Sequence, residues 1–176
     1  MERSRPEMVT LNIHDYETTL QGNYEVFRAL EQVWKSMGIV VHRTDRGLQR
    51  WGVERVLEFR DDYGNVIGME STDIRIDWEA RRSNRYYFEM DQLTHDGVES
   101  SGWLKTCIAQ KIVITVPQEK FFCRVDMTEL RSFCDAFPGK EKTEWKKTAL
   151  GNASRGITVP RSALARMNSY WDAQWR

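Results

Sequence analysis

No stretch of this chain approaches the ~18 consecutive apolar residues that a transmembrane helix needs, and its polar start, Met1-Glu2-Arg3-Ser4-Arg5-Pro6, lacks signal-peptide character. The expectation is a soluble, cytoplasmic protein without a membrane partner. A charge of one sign is missing too. Basic and acidic residues number 26 each, so no global field draws nucleic acid, and any DNA contact must come from a local basic face. The three cysteines, Cys107, Cys123 and Cys134, are odd in number and too scattered for a zinc pattern; they read as small apolar residues of a reduced, intracellular protein. Glycine-rich phosphate loops are absent, since Gly22, Gly38, Gly64 and Gly68 stand singly. His14, His42 and His95 have no spacing to a cysteine or serine that suggests a metal cage or a triad, and are expected to be surface or locally bonded.

What is present is enough for one domain with one sizeable core: 176 residues, of which seven are tryptophan. Residues 1–15 form a lead expected to be extended or disordered, and residues 16–176 the domain. From Tyr16 to Met37, Leu20, Tyr24, Phe27, Leu30, Trp34 and Met37 recur at helical spacing, with Glu17 and Glu31 at the margin of the stripe and Glu25 away from it. Gly38 ends that helix. Ile39 to Arg43 reads as a strand and Thr44 to Gly52 as a polar loop.

Between Val53 and Met90 lie extended runs with recurring acids. Val53 to Phe59 leads through a hairpin turn at Tyr63-Gly64-Asn65 to Thr72 to Trp78, and a basic loop holding Arg81 and Arg82 precedes Arg85 to Met90. Strand alternation puts Asp73, Arg75 and Asp77 on one face with Ile74, Ile76 and Trp78 on the other, and puts Glu54 and Glu58 together. If the two acidic faces coincide, a carboxylate cluster with an embedded cation results. Arg81, Arg82 and Arg85 suit phosphate oxygens.

Beyond them, Asp91 to Gly102 reads as a polar loop and Trp103 to Ala109 as a short helix. Lys111 to Val116 is apolar enough for a central strand covered on both faces. Phe121 to Val125 is a further strand, Asp126 with Glu129 a capping box for a helix to Phe137, and Pro138-Gly139-Lys140 a break. Glu141 to Asn152 is a charged excursion. Gly156 to Val159 is a short strand, and Pro160 opens a last helix carrying Leu164, Met167 and Trp171 on one face. This order predicts a mixed α/β or α+β fold with a central mixed sheet flanked by helices.

The same residues resemble a group of small phage-encoded proteins of the PD-(D/E)XK nuclease superfamily. The resemblance rests on Val53-Glu54-Arg55-Val56-Leu57, the hairpin after it, Tyr87-Phe88-Glu89, Ser101-Gly102-Trp103-Leu104-Lys105, the strand Ile112 to Val116, the strand and helix from Phe121 to Phe133, and the junction Thr158-Val159-Pro160. It implies a restriction-endonuclease-like fold in which two carboxylates hold Mg²⁺ or Mn²⁺ beside a lysine, activating water against a phosphodiester. Carried onto this chain, the metal ligands are Glu54, Asp73 and Asp77, with Arg75 as phosphate clamp. The acidic-X-lysine unit has two registers, Asp73-Ile74-Arg75 and Arg75-Ile76-Asp77, and neither contains lysine. Arginine with a pKa above ~12 is a poor general base, so Lys105 or Lys111 would have to supply a migrated cation, and catalysis is expected to be impaired. Two functions follow as expectations. One is a nucleic-acid-binding, Mg²⁺-dependent nuclease of reduced activity. The other is an inactive derivative that binds a host or phage protein, with an oligomer as one form.

Overall fold

A computed structural model describes residues 13–94, 96–137, 145–147 and 153–175. The chain begins with helix α1 (Ile13–Ser36), strand β1 (Val40–Arg43) and a short α2 (Arg46–Arg50), then the hairpin β2 (Arg55–Arg60) and β3 (Val66–Ile76). After α3 (Ala80–Ser83) come β4 (Arg85–Leu93), β5 (Glu99–Ser101) and α4 (Trp103–Thr106). The second half holds β6 (Lys111–Val116), β7 (Phe121–Asp126), α5 (Met127–Ala136), β8 (Lys146–Lys147), β9 (Ala153–Pro160), α6 (Arg161–Leu164) and β10 (Trp171–Gln174).

Six strands form a mixed central sheet in the order β1-β2-β3-β6-β7-β10, antiparallel except where β3 runs parallel to β6. Alternation along β6 splits the core. Val113 joins Leu57, Ile74 and Phe122 beneath Val26, Leu30 and Trp34 of α1. Ile112, Ile114 and Val116 point the other way, into a larger core with Leu104, Met127, Leu130 and Leu164 from the remaining helices. That core also takes Tyr86, Phe88, Ile157 and Val159 from a second, antiparallel sheet in the order β5-β4-β9-β8. The result is an α+β arrangement: a mixed central sheet flanked by helices, with the smaller sheet packed on the face away from α1. Both faces of β6 are dry, as its nearly continuous apolar run predicts. Gly156 marks where β9 passes β4 most tightly, because a Cβ there would run into the Phe88 carbonyl oxygen.

Several local expectations are corrected. Thr44 to Gly52 is not all loop: Asp45 accepts from the Leu48 amide at 2.9 Å and caps α2. Asp91 to Gly102 is not a loop either, since β4 runs to Leu93 and pairs with β5. Its polar residues hid the strand because Asp91, 5% exposed, is satisfied by Lys105 at 2.8 Å and Arg155 at 2.9 Å. Trp171 lies on no helix: α6 ends at Leu164, and Trp171 opens β10, paired across from Arg124 of β7. The helical spacing of Leu164, Met167 and Trp171 is coincidental, and the open edge of β7 supplies the last strand with backbone partners. Leu30 and Trp34 of the expected stripe are buried, joined by Val26, whereas Tyr24 of α1 and Met37 just past its end are exposed.

Asp126 caps α5 from the Thr128 and Glu129 amides, but Glu129 does not reach back to close a box; its carboxylate accepts from the amides of Asn168 and Ser169. Residues Ile13 to Asp15, assigned to the lead, are already helical. The rest of the lead, His95, the break at Pro138-Gly139-Lys140 and most of the excursion from Glu141 to Asn152 lie outside the described residues. No described helix is long and apolar enough to cross a membrane, and all three cysteines are buried free thiols.

Candidate functional site

Parallel pairing sets Asp73 opposite Ile112 and Arg75 opposite Ile114, so both side chains face the second sheet rather than α1. Asp73 is 1% exposed. Its Oδ2 accepts from Arg75 Nε at 2.7 Å and from Trp103 Nε1 at 2.6 Å, and the Arg75 guanidinium carbon lies 4.1 Å from the Trp103 ring centroid. A carboxylate, a guanidinium and an indole thus form one interlocked unit. Its third member is delivered by α4, which is fastened to β4: the Gly102 amide donates to the Met90 carbonyl at 2.8 Å, and the Trp103 amide to Glu89 Oε1 at 3.1 Å. Gly102 passes so close that a Cβ would lie 2.6 Å from backbone atoms of Met90 and Asp91, so only glycine lets Trp103 approach.

Glu54 meets this unit from the neighbouring chain segment, its amide donating to the Thr72 carbonyl at 2.9 Å. Burial pushes the Glu54 carboxyl above its ordinary value and the charge of Asp73 adds to that, against Arg55 and Arg75. Burial likewise raises Asp73, opposed chiefly by Arg75. Glu54, the residue just before β2, therefore feels the charge of Asp73. Glu58 stands apart, bound by His42 at 2.9 Å and Arg60 at 2.5 Å.

Asp77 is engaged by the backbone. Its Oδ1 accepts from the Glu79 amide at 3.0 Å and the Ala80 amide at 2.8 Å, steering the chain into α3, while burial raises its carboxyl against those bonds and one from the Tyr87 amide. On the opposite face of the sheet, Arg55 and Glu31, each 7% exposed, pair at 2.9 Å, and Arg43 joins Glu31 at 3.1 Å. Burial alone would raise Glu31; the two arginines outweigh it and hold that carboxyl below its usual range. Glu31, at the margin of the helical stripe, thus locks α1 to the sheet.

Beside the Asp73 unit a cleft of about 480 Å³ opens between the sheets, lined by Arg75, Ile76, Asp77, Trp78, Glu79, Tyr86, Tyr87, Phe88, Glu89, Trp103, Ile112 and Ile114. A shallower hollow of about 400 Å³, lined by Arg81, Arg82 and Gln118, shares Trp78 and Glu79 with it. Arg81, Arg82 and Arg85 are exposed, and Arg82 pairs with Glu79 at 2.6 Å. Lys105 and Lys111 are both engaged by acids, Asp91 at 2.8 Å and Asp126 at 3.0 Å. The residues that sequence reasoning left out of the site are Trp103 and Glu89. Nothing in the sequence ties Trp103 Nε1 to an acid thirty positions earlier.

Magnesium needs several open, hard oxygens. Asp73 Oδ2 is already shared by two donors, one of them cationic, and Asp77 Oδ1 by two amides. Among the described residues no three His, Cys, Asp or Glu side chains are placed to share a metal ion. In this arrangement Asp73 and Asp77 each have one oxygen already committed to protein donors. What the cleft offers is aromatic surface, an arginine with its terminal nitrogens unpartnered among the described residues, and an arginine-lined rim. No protein-family model, curated protein or solved structure matches the chain.

Proposed function

We propose that this chain binds single-stranded nucleic acid across the cleft between its sheets, on a restriction-endonuclease-like scaffold of phage type whose cleavage chemistry is impaired. The observation that carries the reading is the adjoining pair of surfaces: a cleft walled by Tyr87 and Trp103, and a hollow lined by Arg81 and Arg82. Bases stack on aromatic faces without needing a particular sequence, while arginines track the phosphates. A duplex holds its bases inside and cannot offer them to such a cleft. Impaired cleavage follows from the Asp73–Arg75–Trp103 unit, in which the acid neutralises a structural arginine instead of holding Mg²⁺ or Mn²⁺ open to a phosphate.

The test is fluorescence anisotropy with labelled single strands and duplexes, with and without Mg²⁺, alongside a cleavage assay. Single strands should bind in a salt-dependent manner and remain intact, and Arg81→Ala with Arg82→Ala should weaken binding and flatten the salt slope by roughly 0.7 per lost phosphate contact. Equal binding of duplex, or brisk Mg²⁺-dependent cutting abolished by Asp73→Ala, overturns the reading.

A second reading, docking to a host or phage protein, has its own support. The β2–β3 hairpin exposes Tyr63, Ile67 and Met69, at 91%, 68% and 57%, and such apolar patches mark interaction surfaces. Native mass spectrometry of the protein recovered from host lysate tests it, and a bare monomer counts against it.

A further inference from the structure

The cleft carries more information than stacking alone. Arg75 spends Nε on Asp73 and lies over the Trp103 ring, which fixes the guanidinium, while its two terminal nitrogens have no partner among the described residues. Glu89 spends Oε1 on the Trp103 amide and on Gln92 Nε2 at 2.7 Å, leaving Oε2 without a partner among the described residues. Both side chains line the same cleft of about 480 Å³, a volume inside the roughly 300–1,000 Å³ span of small-ligand sites. The cleft thus presents a two-donor fork and one charged acceptor, both anchored on Trp103, between aromatic walls.

We propose that this cleft selects an unpaired guanine base. Guanine displays the adjacent acceptors O6 and N7, which an arginine fork meets in bidentate fashion. Its next edge carries the N1 and N2 hydrogens, which a carboxylate accepts. Adenine presents an amino group where O6 would be, opposing the Arg75 donors. Cytosine and uracil lack the O6/N7 pair. The base comes either from a single strand or from a free guanine nucleotide. The proposal rests on the strand-binding reading for the first source only.

The experiment measures direct binding of GMP, IMP, AMP and CMP by isothermal titration calorimetry, and direct binding of oligothymidine pentamers carrying one central G, A or C by fluorescence anisotropy. The expected result is G over A by roughly ten-fold or more, the discrimination of a good bidentate pair, with GMP ahead of IMP, which lacks the N2 amino group. Arg75→Lys, which keeps the charge but not the fork, should abolish the preference for G, bringing the G pentamer down to the level of the A pentamer. Glu89→Gln, which retains an oxygen for the Trp103 amide, should erase the gap between GMP and IMP. Far-ultraviolet circular dichroism verifies that both variants are folded. Pentamers that bind equally well whatever their central base overturn the guanine assignment and leave strand binding standing. GMP binding without pentamer binding supports the assignment and overturns the strand reading, and binding of neither overturns both.

Discussion

Trp103→Phe isolates the interlocked unit, because it removes one hydrogen-bond donor and keeps most of the ring. In the native protein Asp73 is 1% exposed and has two side-chain donors, Arg75 Nε and Trp103 Nε1. Burial already raises its carboxyl above the ordinary range, so the ionised form is only partly compensated. Taking away a charge-assisted donor from a buried carboxylate should cost about 2 kcal/mol. Phenylalanine keeps part of the cation–π contact with Arg75, so little more is lost there. For a chain of this size that cost corresponds to a fall in melting temperature of about 4–8 °C. The assay is a circular dichroism melt over a pH series. A group whose folded pKa is raised contributes stability that is present below its unfolded pKa and lost as pH rises through the folded one. Trp103→Phe raises that folded pKa further, so its deficit should be largest near neutrality and shrink toward about pH 4. In an Asp73→Asn background, where no charge needs the donor, the same change should cost clearly less. A variant melting within about 1 °C of the native protein at neutral pH, or a deficit indifferent to pH, would mean that the Trp103 bond does not stabilise the Asp73 carboxylate.

Three other perturbations probe the frame around the cleft. Arg55→Ala strands the buried Glu31 carboxylate beneath α1 and should cost about 3 kcal/mol in urea unfolding, whereas Arg43→Ala, on the exposed side of the same acid, should change little. Glu54→Gln removes a carboxyl raised by burial and by Asp73; its melting point should equal or exceed the native value at about pH 8, and any gain should vanish as pH falls through the raised Glu54 pKa. Asp126→Ala removes both the cap of α5 and the partner of Lys111; a loss of about 1 kcal/mol in urea midpoint is expected, and no loss would mean that the cap is carried by other contacts.

Period and punctuation made much of the fold legible in the sequence. The helical spacing around Leu30 and Trp34, the alternation around Val56 and Leu57, the apolar run at Ile112 to Val116 and the cap at Asp126 are all local signals, because each is set by neighbours within a turn or a pleat. Alternation even placed Asp73 and Arg75 on one face, and left only the pairing of the strands to decide whether Glu54 lies near them. Those signals failed where a long-range partner decided the outcome. Polar Asp91 and Gln92 belong to a strand because Lys105 and Arg155 satisfy Asp91 from outside it. Trp171 became a strand residue because β7 had an edge to fill.

By itself, then, the sequence determined a mixed sheet with a helix on one face and an acid–arginine pair on its third strand. Only the tertiary structure decided what that pair does, since burial and the identity of the second donor are properties of the packed layers and not of the strand. Asp73 faces into the protein because β3 lies beside β6 beneath a second sheet, and its other partner comes from Trp103, carried across by the close approach of Gly102 to β4. An alternating pattern shows which residues share a face; the element that covers that face fixes their chemistry.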